Sequence, residues 1–365
     1  MTKPAKKKLL KLNTISMTFS LNQKNIQYVL ATLSLILLFN CGDQVDNTES
    51  NNANESDISI EESDSSSYFE NVILADPDSP NPYLKRAGWH LRNGRITEGL
   101  DDLNLSIQAD TTYGPALSGK ADVLFMINDF ENCIHHLDAC IRYDPDHTPC
   151  RLRRAQLYIL QNHYEKALVH LNEALRINPY LYEAYDLKGR LYLEAGEIDN
   201  ALSSYQTAVE VNPEFYEGYI SLGILNANLG REIAEDYYLT AITLRPNSVE
   251  ALYDLAMYYQ DRYMDEKAIE MYARILEVDN SNATAAHNTG FIYLDHKGDY
   301  ENGEYWFSEA IARLPNYHQA FLARGLCRES LGRLDEALSD YNEALRIKPD
   351  YKNAAIAKGR LVDGK

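Results

Sequence analysis

A repeat of 34 residues runs through most of this chain and restricts the folds open to it. The segment ALVHLNEALRINP, at 167–179, aligns with ALSSYQTAVEVNP, at 201–213. The same phase predicts eight units, at 80–113, 114–147, 148–181, 182–215, 216–248, 249–282, 283–317 and 318–351. Because repetition lets a chain grow in one direction, 365 residues require neither one compact core nor several unrelated domains.

Small side chains predict that each unit is a pair of helices in close contact. Helices that cross at a shallow angle of about 20° bring their backbones together and exclude large side chains at the crossing. The eighth position of the units is Ala or Gly throughout: Ala87, Ala121, Ala155, Gly189, Gly223, Ala256, Gly290 and Gly325. One large apolar residue recurs in each second helix: Leu103, Leu137, Leu171, Tyr205, Tyr238, Tyr272, Phe307 and Tyr341. This alternation predicts interlocked antiparallel helices.

Proline closes most of the second helices, because it disfavours helical geometry in the residue before it. Thr111 and Asn280 interrupt this proline column, and we expect them to loosen two turns. Unit 216–248 is one residue short and unit 283–317 is one residue long, and we place both differences in the turn between the two helices. Residues 68–79 are predicted to form an N-terminal capping helix, and 352–365 a C-terminal capping helix and tail.

The spacing and the columns of small residues resemble the tetratricopeptide repeat family. The resemblance implies an all-α fold, a right-handed α-solenoid of about eight helix pairs, in which positions five and nine of the first helices line a concave groove. In the last four units these positions are mostly apolar: Ile220, Ile224, Tyr253, Met257, His287, Phe291, Leu322 and Leu326. We interpret them as a protein-binding groove for a helix or an extended peptide. The alternative is that neighbouring first helices cover these side chains.

The first 40 residues have the parts of an export signal. Six lysines and no acid occupy the first 42 residues, and an apolar stretch at 28–39, too short to span a bilayer, precedes Cys41. The run from Leu38 to Cys41 resembles the lipobox of bacterial lipoproteins. This resemblance implies that 1–40 is a lipoprotein signal peptide and that a lipid on Cys41 attaches the chain to a membrane. The alternatives are an uncleaved signal anchor, and a start at Met17 in place of Met1.

Charge limits the partners of the rest of the chain. Residues 41–67 are acidic and rich in Ser and Asn, so we predict a disordered tether there. Without the leader, 29 basic and 54 acidic residues remain. This excess of negative charge disfavours nucleic acid as a partner.

The residues that could carry chemistry do not form a recognisable catalytic pattern. We find no phosphate-binding, zinc-protease or serine-hydrolase motif, so we predict no enzyme activity, no cofactor and no small-molecule substrate. His135 and His136 are adjacent and point to different sides of a helix, so we predict no metal site. Cys140 and Cys150 are compatible with a disulfide or with ordinary packing of small residues.

Together these features predict a lipid-anchored scaffold for protein–protein interactions in a bacterial cell envelope, at the outer membrane and facing the periplasm or the exterior. The alternative is a regulatory or substrate-recognition subunit of an envelope enzyme, or of a secretion or assembly machine. A cytoplasm-facing adaptor disagrees with the charge bias, because a basic leader stays inside while the acidic part crosses.

Overall fold

The computed structural model describes residues 62–363, which divide into two compact bodies between Pro179 and Tyr180. The helices of the first body are α1 Glu62–Ala75, α2 Pro80–Arg92, α3 Ile96–Ala109, α4 Gly114–Met126, α5 Phe130–Tyr143, α6 Thr148–Leu160 and α7 Tyr164–Ile177. Those of the second body begin with α8 Tyr182–Glu194, α9 Ile198–Val211, α10 Tyr216–Asn228, α11 Ala234–Leu244, α12 Val249–Asp261 and α13 Asp265–Val278. They continue with α14 Ala283–Phe291, a π-helical segment Ile292–Lys297, α15 Tyr300–Arg313, α16 His318–Ser330, α17 Leu334–Ile347 and α18 Lys352–Asp363.

Within each body consecutive helices pack against one another, and residues 62–363 contain no strand. The predicted all-α solenoid class is confirmed. The first helix of each unit begins at the residue where the unit begins, from Pro80 in the first to His318 in the eighth. At the ends, α1 begins at Glu62, six residues before the predicted capping segment, and α18 follows the last unit. The signal peptide, Cys41 and most of the acidic tether lie outside the described residues.

Glycine and a large aromatic residue interlock the helix pairs of the second body. A Cβ atom added at Gly189 would lie 2.8 Å from the Tyr205 ring, and one added at Gly325 would lie 2.5 Å from the Tyr341 ring. Phe307 and Tyr341 are fully buried. The predicted alternation of small and large residues is therefore confirmed, and it brings first and second helices close enough to exclude water from the aromatic rings.

The long unit departs from our prediction. Its extra residue does not lengthen the turn, because it is absorbed in the π-helical segment Ile292–Lys297, which continues α14. A π-turn accommodates one residue more than an α-turn and so restores the register of the following helix. In the short unit α11 has 11 residues, whereas α9 and the other second helices have 14.

The two turns without proline are each closed by a side-chain hydrogen bond. Asp110 accepts a hydrogen bond from the backbone N–H of Thr112 at 2.8 Å. Asp279 accepts one from the backbone N–H of Ser281 at 3.0 Å. An Asp side chain that binds the backbone two residues later closes a turn without the fixed φ of proline.

A disulfide joins Cys140 of α5 to Cys150 of α6, with 6.3 Å between the two Cα atoms. The sequence was compatible with this bond and with simple packing, because either explains a cysteine in a column of small residues.

Among residues 62–363, none of the helices combines the length and the apolar composition that a membrane span requires.

Candidate protein-binding groove

The eight predicted groove residues differ in exposure. Ile224 on α10 is the most accessible of the eight, with 39% of its surface exposed. Tyr253, Met257, His287, Phe291 and Leu326 are partly buried. Ile220 and Leu322 are only 6% and 2% exposed, so their assignment to an open surface is corrected. Ile220 belongs to the core cluster that also contains Leu252 and Leu255 of the next first helix, which explains its burial.

Tyr253 and Met257 meet side chains of the following unit. The Asn288 amide on α14 donates to the Tyr272 hydroxyl at 3.1 Å and lies 3.5 Å from the Tyr253 hydroxyl and 3.7 Å from the Met257 sulfur. The Tyr272 hydroxyl donates to Gln260 Oε1 at 2.9 Å. These connected hydrogen bonds hold the partly exposed Tyr253 and Met257 side chains in place against α14.

His287 and Phe291 lie one unit further along. The His287 ring is 5.0 Å from the Tyr317 ring and 5.3 Å from the Phe307 ring, measured between centroids. Burial lowers the pKa of His287 to about 4, so this imidazole is neutral at pH 7 and acts as part of an aromatic surface. Phe291 and Leu326 pack against one small cluster that includes Phe307. The structure therefore brings Tyr253 together with Met257, and Phe291 together with Leu326.

Two aspartates on first helices of the second body were not among the predicted binding residues. Asp186 on α8 is only 7% exposed, and Asp254 on α12 is partly buried. Burial raises the pKa of Asp186 to about 6 and that of Asp254 to about 7. Within the described part of the chain, neither carboxylate has a hydrogen bond or an ion pair that would offset this burial, although the positive charge of Arg190 partly counteracts the shift at Asp186.

Glutamates add to this negative charge at position two of three successive units. These residues are Glu183, Glu217 and Glu250. Glu217 pairs with Arg245 at 2.8 Å, and burial raises the pKa of Glu183. The negative charges of Glu183 and Glu217 raise the pKa of Asp186. The negative charge of Glu250 likewise raises the pKa of Asp254. The repeated glutamate was the sequence signal that could have revealed an acidic stretch.

The second body therefore presents two kinds of group along consecutive first helices. Apolar and aromatic side chains at positions five and nine can take up apolar surface. Carboxylates at positions two and six can bind cationic groups through charge-assisted hydrogen bonds, and the buried Asp186 at position five adds to the negative potential. We call this combined surface, from α8 to α16 in the second body, the first-helix surface.

Comparison with known families agrees with the helix pairs. Models of the tetratricopeptide repeat match residues 124–191 and 318–351, and a further model of the repeat matches 189–230. The chain is a tetratricopeptide repeat protein. The family resemblance predicted from the sequence is thus confirmed.

Two curated proteins share part of this tetratricopeptide repeat chain. Protein FlbA of Caulobacter vibrioides is 26% identical over 143 residues, which are 36% of this chain and 24% of FlbA. An N-terminal acetyltransferase A complex subunit-like protein of Schizosaccharomyces pombe is 30% identical over 97 residues, 25% of this chain and 14% of the relative. The chain therefore spans no more than about a quarter of the length of either relative.

Several solved structures are similar in fold to parts of this tetratricopeptide repeat protein. MamA is 23% identical, covering 47% of this chain and 95% of its own, with a TM-score of 0.42. PilW, a type IV pilus biogenesis factor, is 17% identical, covering 57% and 97%, with a TM-score of 0.46. YrrB, described as having an unusual peptide-binding site, is 20% identical, covering 52% and 97%, with a TM-score of 0.43.

Proposed function

We propose that this chain is a non-catalytic scaffold that binds other proteins through the first-helix surface of its second body. The observation that carries the proposal is the partly exposed row of Ile224, Tyr253, Met257 and Phe291 on three consecutive first helices. Contacts within the fold, such as those of Asn288 with Tyr253, hold part of the row in place before any partner arrives. Binding to a rigid surface avoids the entropy cost of ordering it.

The carboxylates favour a partner segment that is both basic and apolar. Asp254 is partly buried and has no ion-pair partner among residues 62–363, so a lysine or arginine side chain from another protein would supply one. Asp186 is only 7% exposed and adds negative potential beneath the surface. Glu183 and Glu250 carry the same sign of charge on the same helices. A helix or an extended peptide with lysines beside leucines matches this combination.

Ile224 offers the sharpest test of the surface, because it is exposed enough to be replaced with little loss of stability. Ile224→Ala should weaken capture of the partner protein while the melting temperature stays nearly constant. The matched control is Leu239→Ala on the second helix α11, where the side chain is 41% exposed. A photoreactive residue at Phe291 would identify the partner to be used in the binding measurement.

The outcome separates binding from packing. Loss of affinity in Ile224→Ala but not in Leu239→Ala supports the proposed surface. Equal affinities of both variants and the original chain would show that partners bind elsewhere. Alanine at Tyr253 or Phe291 is a weaker test, since both side chains are partly buried and their removal also lowers stability.

We also propose that a lipid on Cys41 anchors the scaffold in the cell envelope, with the helical repeats outside the cytoplasm. The support is the order of the sequence, in which six lysines and an apolar stretch precede Cys41 and an acidic segment follows it. Metabolic labelling with an alkyne fatty acid should label the original chain, and Cys41→Ser should remove the label and release the protein from membranes. An unlabelled original chain would contradict this anchor.

A further inference from the structure

Three potential metal ligands meet where α5 ends and α6 begins. One ligand atom each from Cys140, His147 and Cys150 lies within 4.8 Å of the other two. Both cysteines are fully buried and His147 is partly buried. The two sulfur atoms are bonded to each other in this structure. The group belongs to the first body, so it is separate from the first-helix surface proposed above.

The imidazole of His147 lacks a hydrogen-bond partner. Its Nε2 atom is buried and has none among residues 62–363. A buried nitrogen without a partner costs about 1–3 kcal/mol, so packing alone gives no reason to keep histidine here. The backbone fixes the residue, because the His147 N–H donates to the Asp144 carbonyl oxygen at 3.1 Å and His147 immediately precedes α6.

We propose that, once the disulfide is reduced, Cys140, Cys150 and His147 bind one zinc ion. A dithiol reductant donates two electrons and two protons to the S–S bond and is itself oxidised to a disulfide, leaving two thiols. Zinc then displaces the two thiol protons and binds two thiolates and one imidazole nitrogen. The bonded and the zinc-bound states exclude each other, because each uses both sulfur atoms.

The ligand set suits zinc in number, type and charge. Two sulfurs and one nitrogen form a common three-ligand zinc site, in which water fills the fourth position. Two thiolates neutralise the double positive charge of the ion, so the complex can be buried without an additional counter-ion. A Cα–Cα distance of 6.3 Å lets rotation of the two cysteine side chains separate the sulfurs around a metal.

The other described cysteines do not offer this chemistry. Cys133 and Cys327 are free and fully buried in packing positions. Neither belongs to a group of three potential ligands, because Cys140, His147 and Cys150 are the only such group among residues 62–363. His135 and His136, the pair considered from the sequence, are not part of the group.

Zinc binding by the full chain before and after reduction tests the proposal without any substitution. The protein is reduced with a phosphine in the absence of oxygen, freed of reductant and titrated with zinc against a chromophoric chelator. We expect the reduced chain to bind one more zinc ion than the oxidised chain. Cobalt in place of zinc should give the absorption of thiolate-bound cobalt.

Variants then assign the site. Cys150→Ser should abolish the additional zinc ion, and His147→Ala should weaken its binding by at least about tenfold. His163→Ala is the matched control, because His163 holds the same place before α7 but is exposed. Cys41→Ser removes the cysteine that follows the predicted signal peptide, and this variant should still bind the additional zinc ion.

A protection experiment gives an independent readout. Zinc-loaded chain should form the Cys140–Cys150 bond at least about tenfold more slowly in oxidised glutathione than zinc-free reduced chain, since the sulfurs are occupied. Equal zinc binding by oxidised and reduced chains, or unchanged affinity in His147→Ala, would overturn the proposal.

Discussion

A left-handed backbone residue occupies each turn between the two helices of a unit. These residues are Gly94, Asn128, Asn162, Gly196, Gly230, Tyr263, Gly298 and Gly332. Glycine adopts this conformation without cost and asparagine with little, whereas other residues pay about 1–2 kcal/mol. Tyr263 bears that cost in a turn where its exposed ring lies 4.5 Å from the His296 ring.

Gly332→Ala should lower the free energy of unfolding by about 1 kcal/mol. No atom lies within 4 Å of a Cβ added there, so the cost comes from the backbone φ of 80° alone. Gly359→Ala is the matched control, because its Cβ also meets nothing within 4 Å but the residue lies inside α18. There alanine should stabilise by roughly 0.5–1 kcal/mol. Urea unfolding of both variants measures this difference, and equal effects would contradict a backbone origin.

Asp254→Asn should stabilise the protein at pH 8 and have little effect near pH 4. Burial raises the pKa of Asp254 to about 7 in the folded state, against about 3.9 in an unfolded chain. The folded state therefore binds more protons between these values, and its stability falls as the pH rises through them. We expect a gain of roughly 1–3 kcal/mol at pH 8.

Thermal unfolding of Asp254→Asn across this pH range provides the measurement. Asp295→Asn is the control, because Asp295 lies exposed on the next unit, so its replacement removes a carboxylate without removing a buried charge. If Asp254→Asn retained the same fall in stability between pH 4 and pH 8 as the original chain, other groups would cause that fall.

The helix pairs were predictable because small residues recur at fixed positions and large residues face them. The π-helical segment was not, since one added residue suits a longer turn as well as a π-turn. Burial of Ile220 and Leu322 was one of two interpretations that the sequence left open, because positions five and nine indicate a side of the helix but not how closely neighbouring units approach. The Cys140–Cys150 bond stayed open because cysteine also fits a column of small residues.

Deleting Asp295 should convert the π-helical segment into a regular helix with a change of less than about 1 kcal/mol. The segment absorbs one extra residue, so its removal leaves Gly290 and Gly303 in their facing positions. The same deletion at Asp261 in the preceding unit has no extra residue to remove, and it shifts the left-handed turn at Tyr263. We expect that second deletion to cost more than about 2 kcal/mol, comparable to other strained backbone changes.

Circular dichroism during thermal unfolding compares the two deletions. A large loss of stability on deleting Asp295 would show that the π-turn is required for packing of the unit and does not merely accommodate an insertion. The outcome also bears on the first-helix surface, because Phe291 immediately precedes the segment.

The formal charge of −19 affects every encounter of this protein with a partner. A large negative field attracts basic segments before contact and repels acidic ones. Asp186 and Asp254, which have no ion-pair partner among the described residues, concentrate that preference on the second body, where the partly exposed apolar residues also lie. Long-range attraction and local recognition therefore select the same chemical class of partner.

A synthetic peptide of about 20 residues with leucines and lysines on opposite sides of a helix should bind the chain, and its affinity should fall about tenfold between 50 and 500 mM salt. Fluorescence anisotropy of the labelled peptide measures its affinity at each salt concentration. A peptide with glutamate in place of each lysine should not bind detectably. Replacing both Asp186 and Asp254 with Asn should weaken binding and flatten the salt dependence, because fewer charges then act on the peptide. Equal affinity for the two peptides would exclude charge as the basis of selection and leave only the apolar row to recognise a partner.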